Sequence, residues 1–436
     1  MSEEATLGEF AQGDESDNQE QEWRNVQLHE IAYKRSDNID PQEVALEKHV
    51  GLEHIDPNRP DPDWESLDDL SSTKRRFEAG DILFAKLRPN LEKSAQPDFE
   101  GVASTDIFPI VAESNVNSKW LLYRLSSKPA YDYARRTSAG TRMPRTSWNL
   151  FCNFGFDLPP LPEQRKIATV LYTVDRAIEK TEEIKSQIER IRDGVRQDAF
   201  SRGIQESGIE RSDDGLKETY LGSVPNDWQL RRVDEVCSHV VDCPHSTPDY
   251  SEHGTPVVRT SEIEDGRYYP DESPRVDEEG YQKRVSRLEP KPGDVVFTRE
   301  APIGEAFKIS EGMKLCLGQR LMHLRPENGV LDADFLVELL YSDMMQSWFE
   351  RSARGSTSTH VNVGDIESME IPVPPIEEQH RIVDILGGFR EQLDSERNLL
   401  SRYERLKRGL MQDLLSGAVR TTNTDIEVPD DIAQHG

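Results

Sequence analysis

LPPLPEQRKIATVL (158–171) and VPPIEEQHRIVDIL (373–386) are one segment occurring twice, 215 residues apart. The reading of that segment decides the fold. In each copy a Pro-Pro pair ends an extended stretch, and Glu-Gln then opens a long proline-free run. Around it, residues 120–202 align with 335–417 without a gap, and 18 of those 83 positions are identical. A gap-free match of this length implies a continuous element that tolerates no insertion. Apolar residues recur at three- and four-residue steps: Ile167, Leu171, Val174, Ile178, Ile184, Ile188, Ile191 and Val195 in the first copy. The second gives Ile382, Leu386, Phe389, Leu393, Leu399, Tyr403, Leu406, Leu410 and Leu414, with Thr181 and Glu396 as weak points in the two stripes. Each stripe predicts a helix of about 40 residues, roughly 60 Å long. Two such helices are too long for small domains to bury and are expected to pack on each other as a coiled coil.

Upstream the match continues with drifting offsets, as loops allow. EWRNVQLHEI (22–31) answers DWQLRRVDEV (227–236), GDILFAKLRP (80–89) answers GDVVFTREAP (293–302), and STDIFPI (104–110) answers GQRLMHL (318–324). Short β-branched and aromatic runs between turn residues predict mixed sheet, with one helical patch per copy, WLLYRLS (120–126) and FLVELLYS (335–342). The fold class expected is α+β: two mixed α/β domains in tandem repeat, separated by two long helices. The boundaries read as a disordered acidic tail 1–22, domain 23–158, helix 159–203, linker 204–226, domain 227–373, helix 374–419 and a second disordered acidic tail 420–436.

The chain has 436 residues and a formal net charge of −29. The stretches 1–22 and 421–436 hold eight and four acids and no Lys or Arg, leaving −17 for the remainder. With 16 Lys against 37 Arg, the composition resembles proteins of organisms that keep a high-salt cytoplasm, where surface acids serve solubility. No run approaches twenty apolar residues and the first residues lack a basic region, so neither a membrane span nor a secretory signal is expected. Four cysteines in this length make no disulfide scaffold, which suits the cytoplasm.

Local charge runs against the global balance. KPAYDYARRTSAGTRMPRTSW (128–148) carries net +4, and Lys74, Arg75, Arg76, Lys86, Arg88 and Lys93 form a second basic cluster. The repeat partner of the first is FERSARGSTSTHVN (349–362). Basic, polar loops in an acidic chain are what phosphate and base-edge contacts need. The residues that these clusters and their repeat partners offer for such contacts are Lys86, Arg88, Arg135, Arg136, Arg142, Arg145, Arg299, Arg320, Arg351, Arg354, Thr357 and His360; the alternative is solvated surface loops paired with neighbouring acids. CSHVVDCPH (237–245) offers Cys237, His239, Cys243 and His245 at spacings unlike those of zinc fingers or ribbons, so no metal is expected.

The two Pro-Pro-x-x-Glu-Gln segments, GSVPNDWQLRRVDEV (222–236), GDILFAKLRPN (80–90) and DCPHSTPDY (242–250) followed by TPVVRTSEI (255–263) together resemble the specificity subunits of type I restriction–modification systems, over essentially 23–420. The resemblance implies two target-recognition domains, each reading one half of a bipartite, asymmetric site in double-stranded DNA. It makes the long helices antiparallel spacers that dock two methyltransferase subunits, with endonuclease/translocase subunits joining. Pro159, Pro160, Glu163, Gln164, Pro374, Pro375, Glu378 and Gln379 are the candidate partner interface, or simply good helix openings. S-adenosylmethionine, ATP and Mg are then expected in the other subunits, with no cofactor in this chain. No Asn-Pro-Pro-Phe/Tyr or G-x-x-x-x-G-K-[ST] motif occurs, which agrees with a non-catalytic chain. The alternatives are a stand-alone DNA modification enzyme or nuclease, and a coiled-coil scaffold that binds only proteins.

Overall fold

The computed structural model describes residues 22–41, 44–67, 70, 72–205, 211–353 and 360–433. It divides into two compact units. Unit 1 comprises residues 1–183 and 397–436, and unit 2 comprises residues 184–396.

In unit 1, β1 (Arg24–Gln27) pairs antiparallel with β11 (Gly155–Leu158), bringing the ends of the recognition region together. A four-stranded antiparallel sheet has the order β2 (Ala32–Lys34), β10 (Ile107–Ala112), β7 (Ile82–Ala85) and β8 (Ser94–Ala95). A mixed sheet runs β3 (Asn38–Ile39), β6 (Lys74–Phe77), β9 (Gly101–Ala103), β4 (Lys48–Val50) and β5 (Glu65–Ser66), with β4 and β9 parallel. Helices α1 (Ser118–Leu125), α2 (Lys128–Arg136) and α3 (Trp148–Phe151) precede the long α4 (Leu161–Arg202).

Unit 2 repeats this plan. β12 (Leu216–Thr219) and β13 (Gly222–Pro225) form a hairpin within the region expected to be a plain linker. β14 (Gln229–Arg232) pairs with β24 (Glu370–Val373) as β1 does with β11. The four-stranded sheet is β15 (Cys237–Asp242), β23 (Leu321–Pro326), β20 (Val295–Arg299) and β21 (Ile303–Lys308). The parallel pair is β16 (Thr255–Val258) with β22 (Cys316–Leu317). β17 (Ile263–Glu264) pairs with β18 (Arg267–Tyr268), β19 (Arg275–Val276) pairs with β16, and α5 (Val233–Val236) and α6 (Glu278–Arg284) are short helices. The α7 (Ala333–Leu340), α8 (Asp343–Ala353) and α9 (Val363–Glu367) helices lead to the second long helix, α10 (Ile376–Leu415).

The Gly-Asp pair that opens both β7 and β20 has a local cause. Gly80 and Gly293 adopt φ of 85° and 88°, a region that penalises any Cβ. The following carboxylates tie the turn, Asp81 accepting from the Glu78 N–H at 2.9 Å and Asp294 from the Lys291 N–H at 2.8 Å.

Each unit packs its sheet and short helices against both long helices. In unit 1, Ile167 and Leu171 from the start of α4 share a core with Leu414 and Leu415 from the end of α10. In unit 2, Ala199 and Phe200 from the end of α4 share one with Ile382 and Leu386 from the start of α10. Start meets end in each unit, so the two helices are antiparallel within it. The apolar stripe departs from expectation at one equivalent place in each copy: Ile191 is 56% exposed and Leu406 is 49% exposed. Successive three-residue steps carry the stripe about 120° around a straight helix by that point.

The expected disordered tail 420–436 is corrected over its described part. Ile432, on α11 (Asp430–Ala433), is 1% exposed and belongs to the unit 1 core; its carbonyl accepts from Asn117 Nδ2 at 2.8 Å. Lys166 Nζ donates to the carbonyls of Thr421, Thr422 and Thr424 at 3.3, 3.2 and 2.9 Å. Acid-rich composition concealed a strap that docks through these hydrogen bonds and through the side chains of Val428 and Ile432. The acidic stretch 1–21 lies outside the described residues.

Candidate nucleic-acid interface

β7 leaves its sheet as Lys86-Leu87-Arg88, and the loop before α3 closes over that exit. Leu87 and Ala139 each bridge Arg145, the Arg88 N–H donates to the Pro144 carbonyl at 2.8 Å, and the Thr146 N–H donates to the Lys86 carbonyl at 3.1 Å. The two basic clusters of the sequence thereby become one. Asp106, at the entrance to β10, sits at its centre: Arg145 donates to both carboxylate oxygens at 2.9 and 3.0 Å, and Lys86 Nζ lies 3.9 Å away.

Burial lowers the pKa of Lys86; Asp106 opposes that shift, while Arg75, Arg145 and Lys34 add to it. Lys34 is likewise lowered by burial and by Arg75. Lys34, Arg75 and Arg145 thus gather around Lys86, and Asp106 pairs with two of the four cations, Lys86 and Arg145. Lys34 was missed in the sequence, because nothing in AYKRSD (32–37) separates it from a solvated base. Arg75 Nε is buried with no hydrogen-bond partner. Arg88, Arg136 and Arg142 are exposed, and no ion pair holds them among the described residues. Arg88 adopts a left-handed φ of 50°, a strained conformation for a non-glycine residue. Arg135 is the exception, paired with Glu92 at 3.0 Å and with Asp132. Lys74 and Lys93 turn inward to Ser72 and to the Leu52 carbonyl, so they belong to the domain's structure.

Unit 2 rebuilds the same backbone frame. The Arg299 N–H donates to the Arg320 carbonyl at 3.0 Å, as Lys86 does to Asp106 at 3.0 Å. The Val361 N–H donates to the Arg299 carbonyl at 3.0 Å, and Glu300 bridges His360. The side chains on that frame differ. Lys86 is replaced by Arg299, whose Nε lies 3.3 Å from Asp242; Asp106 by Arg320, exposed and 3.5 Å from Glu300; and Arg145 by His360. Arg351 is exposed near the end of α8. Arg354 and Thr357 lie outside the described residues.

Beside this frame the segments 242–250 and 257–262 enclose a concavity lined by Thr247, Tyr250, Arg259, Thr260, Gln319 and Arg320. Arg284, 6% exposed, holds its wall by donating to the Leu317 carbonyl at 2.8 Å and the Ser246 carbonyl at 2.6 Å. Gly318 stands where a Cβ would meet the Val258 carbonyl at 2.4 Å. Of these lining residues only Arg320 is singled out in the sequence; Thr247, Tyr250, Arg259 and Thr260 lie in the two quoted motifs, and their convergence in space marks them.

Of the eight residues expected at a partner interface, the four Glu and Gln side chains are turned inward and serve the helix openings. Glu163, Gln164, Glu378 and Gln379 are at most 2% exposed. Glu163 accepts from Trp23 Nε1 at 2.8 Å, from Arg420 at 2.9 and 2.8 Å and from the Thr421 N–H at 3.0 Å. Glu378 repeats the set with Trp228 at 3.1 Å, Arg211 at 2.6 and 3.0 Å and the Ile204 N–H at 2.9 Å. Gln164 and Gln379 accept at 2.8 Å from the N–H groups of Asn117 and Asp332, which cap α1 and α7. Glutamate closes the chain after one long helix onto the start of the other, and glutamine fixes the turn before it. Of the prolines, Pro159 and Pro374 are buried, Pro160 is half-buried and Pro375 exposed.

Cys237 and Cys243 sit in separate apolar clusters, where burial pushes the Cys237 thiol up to about 12 and raises Cys243. The one group of possible metal ligands found among the described residues is His49, His54 and Glu65. His54 Nδ1 accepts the Gly51 N–H at 2.9 Å, which leaves the proton of its neutral ring on Nε2, facing Glu65 at 4.0 Å. His49 Nδ1 meets the same carboxylate at 2.8 Å. The His49–Glu65 hydrogen bond closes β4 onto β5.

A duplicated domain that presents a basic, polar face on a constant backbone frame defines a nucleic-acid-reading class of protein. The family model for the type I restriction modification DNA specificity domain matches residues 20–190 and 225–405, and the chain belongs to that family. The chain is 22% identical over 330 residues to the type I restriction enzyme MjaVIII specificity subunit of Methanocaldococcus jannaschii, covering 74% of this chain and 76% of that protein. It is 24% identical over 289 residues to the EcoBI specificity subunit of Escherichia coli, covering 63% and 60%. Its fold is similar to a chain from a solved type I restriction–modification system (TM-score 0.55, 22% identity, 91% of this chain and 98% of that one). It is also similar to the S subunit from M. genitalium (TM-score 0.53, 13% identity, 95% and 99%).

Proposed function

We propose that this chain is the non-catalytic DNA-reading subunit of a type I restriction–modification complex, each recognition domain reading one half of a bipartite, asymmetric site. One observation carries the reading: equivalent positions on the same frame hold Lys86 and Arg299, Asp106 and Arg320, Arg145 and His360. A frame kept while the side chains on it change suits two domains that meet the same kind of ligand and read different sequences from it. The long helices separate the half-sites and carry two methyltransferase subunits; endonuclease subunits complete the assembly, and the S-adenosylmethionine, ATP and Mg chemistry resides in those partners.

The partner surface is better sought where both helices are exposed alike. Ile191 and Leu406 stand open beside the identical Arg190/Arg405 and Gly194/Gly409. The shortage of Lys and the excess of acid fit a high-salt cytoplasm, and no described helix is long and apolar enough to cross a membrane. Deleting the gene and sequencing the methylome tests the reading. Loss of methylation at one bipartite motif supports it, and an unchanged methylome contradicts it.

A further inference from the structure

In each unit one buried carboxylate joins three parts of the fold: the recognition domain and both long helices. In unit 1 it is Asp175 on α4, 5% exposed. Tyr123 Oη, from α1 of the recognition domain, donates to its Oδ2 at 2.6 Å, and Lys407 Nζ, from α10, lies 2.6 Å from its Oδ1. Lys407 also donates to the Asn58 carbonyl at 3.1 Å, and Arg59 pairs with Glu182 at 2.6 Å, so a second segment of the domain is held to the helices. Burial and the charge of Asp175 push the Tyr123 phenol upward, which keeps it a donor at neutral pH.

In unit 2 the carboxylate has changed sides. Glu338, on α7 of the recognition domain and 3% exposed, accepts from Arg196 Nε of α4 at 3.1 Å and from Arg390 of α10. Arg267 of the domain pairs with Asp394 of α10, and Arg192 of α4 pairs with Asp265 at 2.8 Å. Tyr123 and Glu338 are repeat equivalents, as are Asp175 and Arg390. The two copies therefore keep a three-way tie while exchanging the charges that make it. Residues held by sequence inheritance alone would not trade sign in concert. What persists is the tie.

We infer that Asp175 and Glu338 are positioning residues for half-site geometry: each fixes the angle its recognition domain makes with the helices of its own unit, and so restricts the length of DNA allowed between the half-sequences. The inference rests on the proposed reading of the chain as a bipartite-site subunit. Apolar packing alone, as in the cores beside these ties, permits sliding; a buried ion pair with fixed geometry does not, because breaking it strands a desolvated charge.

The test uses the full chain assembled with its cognate methyltransferase subunits. The substrates are duplexes bearing the two half-sequences, with the intervening stretch changed one base pair at a time. Wild type is expected to methylate a single length. Asp175→Asn and Glu338→Gln, checked for folding by thermal unfolding, are expected to keep both half-sequences and to raise methylation at neighbouring lengths about tenfold relative to the preferred one. If either fails to fold, Tyr123→Phe and Arg196→Met remove one arm of each tie at smaller cost and should broaden the profile in the same direction. A single-length profile unchanged in folded variants overturns the inference. A wild-type complex that methylates no bipartite sequence overturns the underlying reading, and this inference with it.

Discussion

At the residue scale, the buried carboxylates divide into those that hold the fold and those that position its basic side chains. Asp294 is buried, which works against its charge, yet Arg325, His323 and the Lys291 N–H hold its carboxyl down at about 2. A depressed carboxyl stabilises the fold fully above its ordinary range and loses that contribution as pH falls toward the folded value. Asp294→Asn is expected to cost about 2 kcal/mol at neutral pH, with the difference from wild type vanishing as pH approaches about 2. Denaturant melts at several pH values check this; a pH-independent difference would contradict it. Asp106 works differently, holding Arg145 by a two-point hydrogen bond beside Lys86. Lys86→Ala is expected to weaken DNA binding evenly across sequences and lower the salt slope by about 1, whereas Arg320→Ala relaxes one base position within one half-site at about 1–3 kcal/mol. Binding titrations against salt and single-base variants separate the two. An Arg320→Ala loss shared equally by all sequences would assign that residue to the backbone.

At the element scale, the long helices were legible because a fixed offset over 83 positions leaves room only for an uninterrupted element. The strands were legible through their Gly-Asp openings. The clamp was not: Trp23, Glu163 and Arg420 are separated by 140 and 257 residues, and no periodicity links them. The strap was misread for a related reason, since 421–433 holds four acids and no Lys or Arg, and its apolar residues Ile426, Val428 and Ile432 are too few to set a helical or strand period that would mark a buried element. Truncation after Arg420 removes the Ile432 anchor and the Thr421 N–H bond to Glu163. It is expected to cost a few kcal/mol, on the order of 3, in the stability of unit 1. Thermal unfolding of the truncated chain checks this, and an unchanged Tm would return the strap to the status of a tail. Inserting one heptad into both α4 and α10 at equivalent places adds about 10 Å, roughly three base pairs of DNA. The methylated motif should lengthen its spacer accordingly and keep its half-sequences.

At the scale of the whole molecule, a net charge of −29 sits beside the basic faces proposed to meet DNA phosphates. The arrangement resolves this locally: in unit 1 Lys34, Arg75 and Arg145 gather around Lys86, with Asp106 pairing only Lys86 and Arg145. Where ambient salt is high, counterion release adds little, so base contacts and partner subunits must supply more of the affinity. The central claim is that each repeat reads its own half of one site. Replacing residues 227–373 with the equivalent domain of a relative of different specificity, then sequencing the methylome, tests it most directly. The account predicts a motif with one half-sequence altered and the other half and the spacing retained; both halves changing together would contradict it.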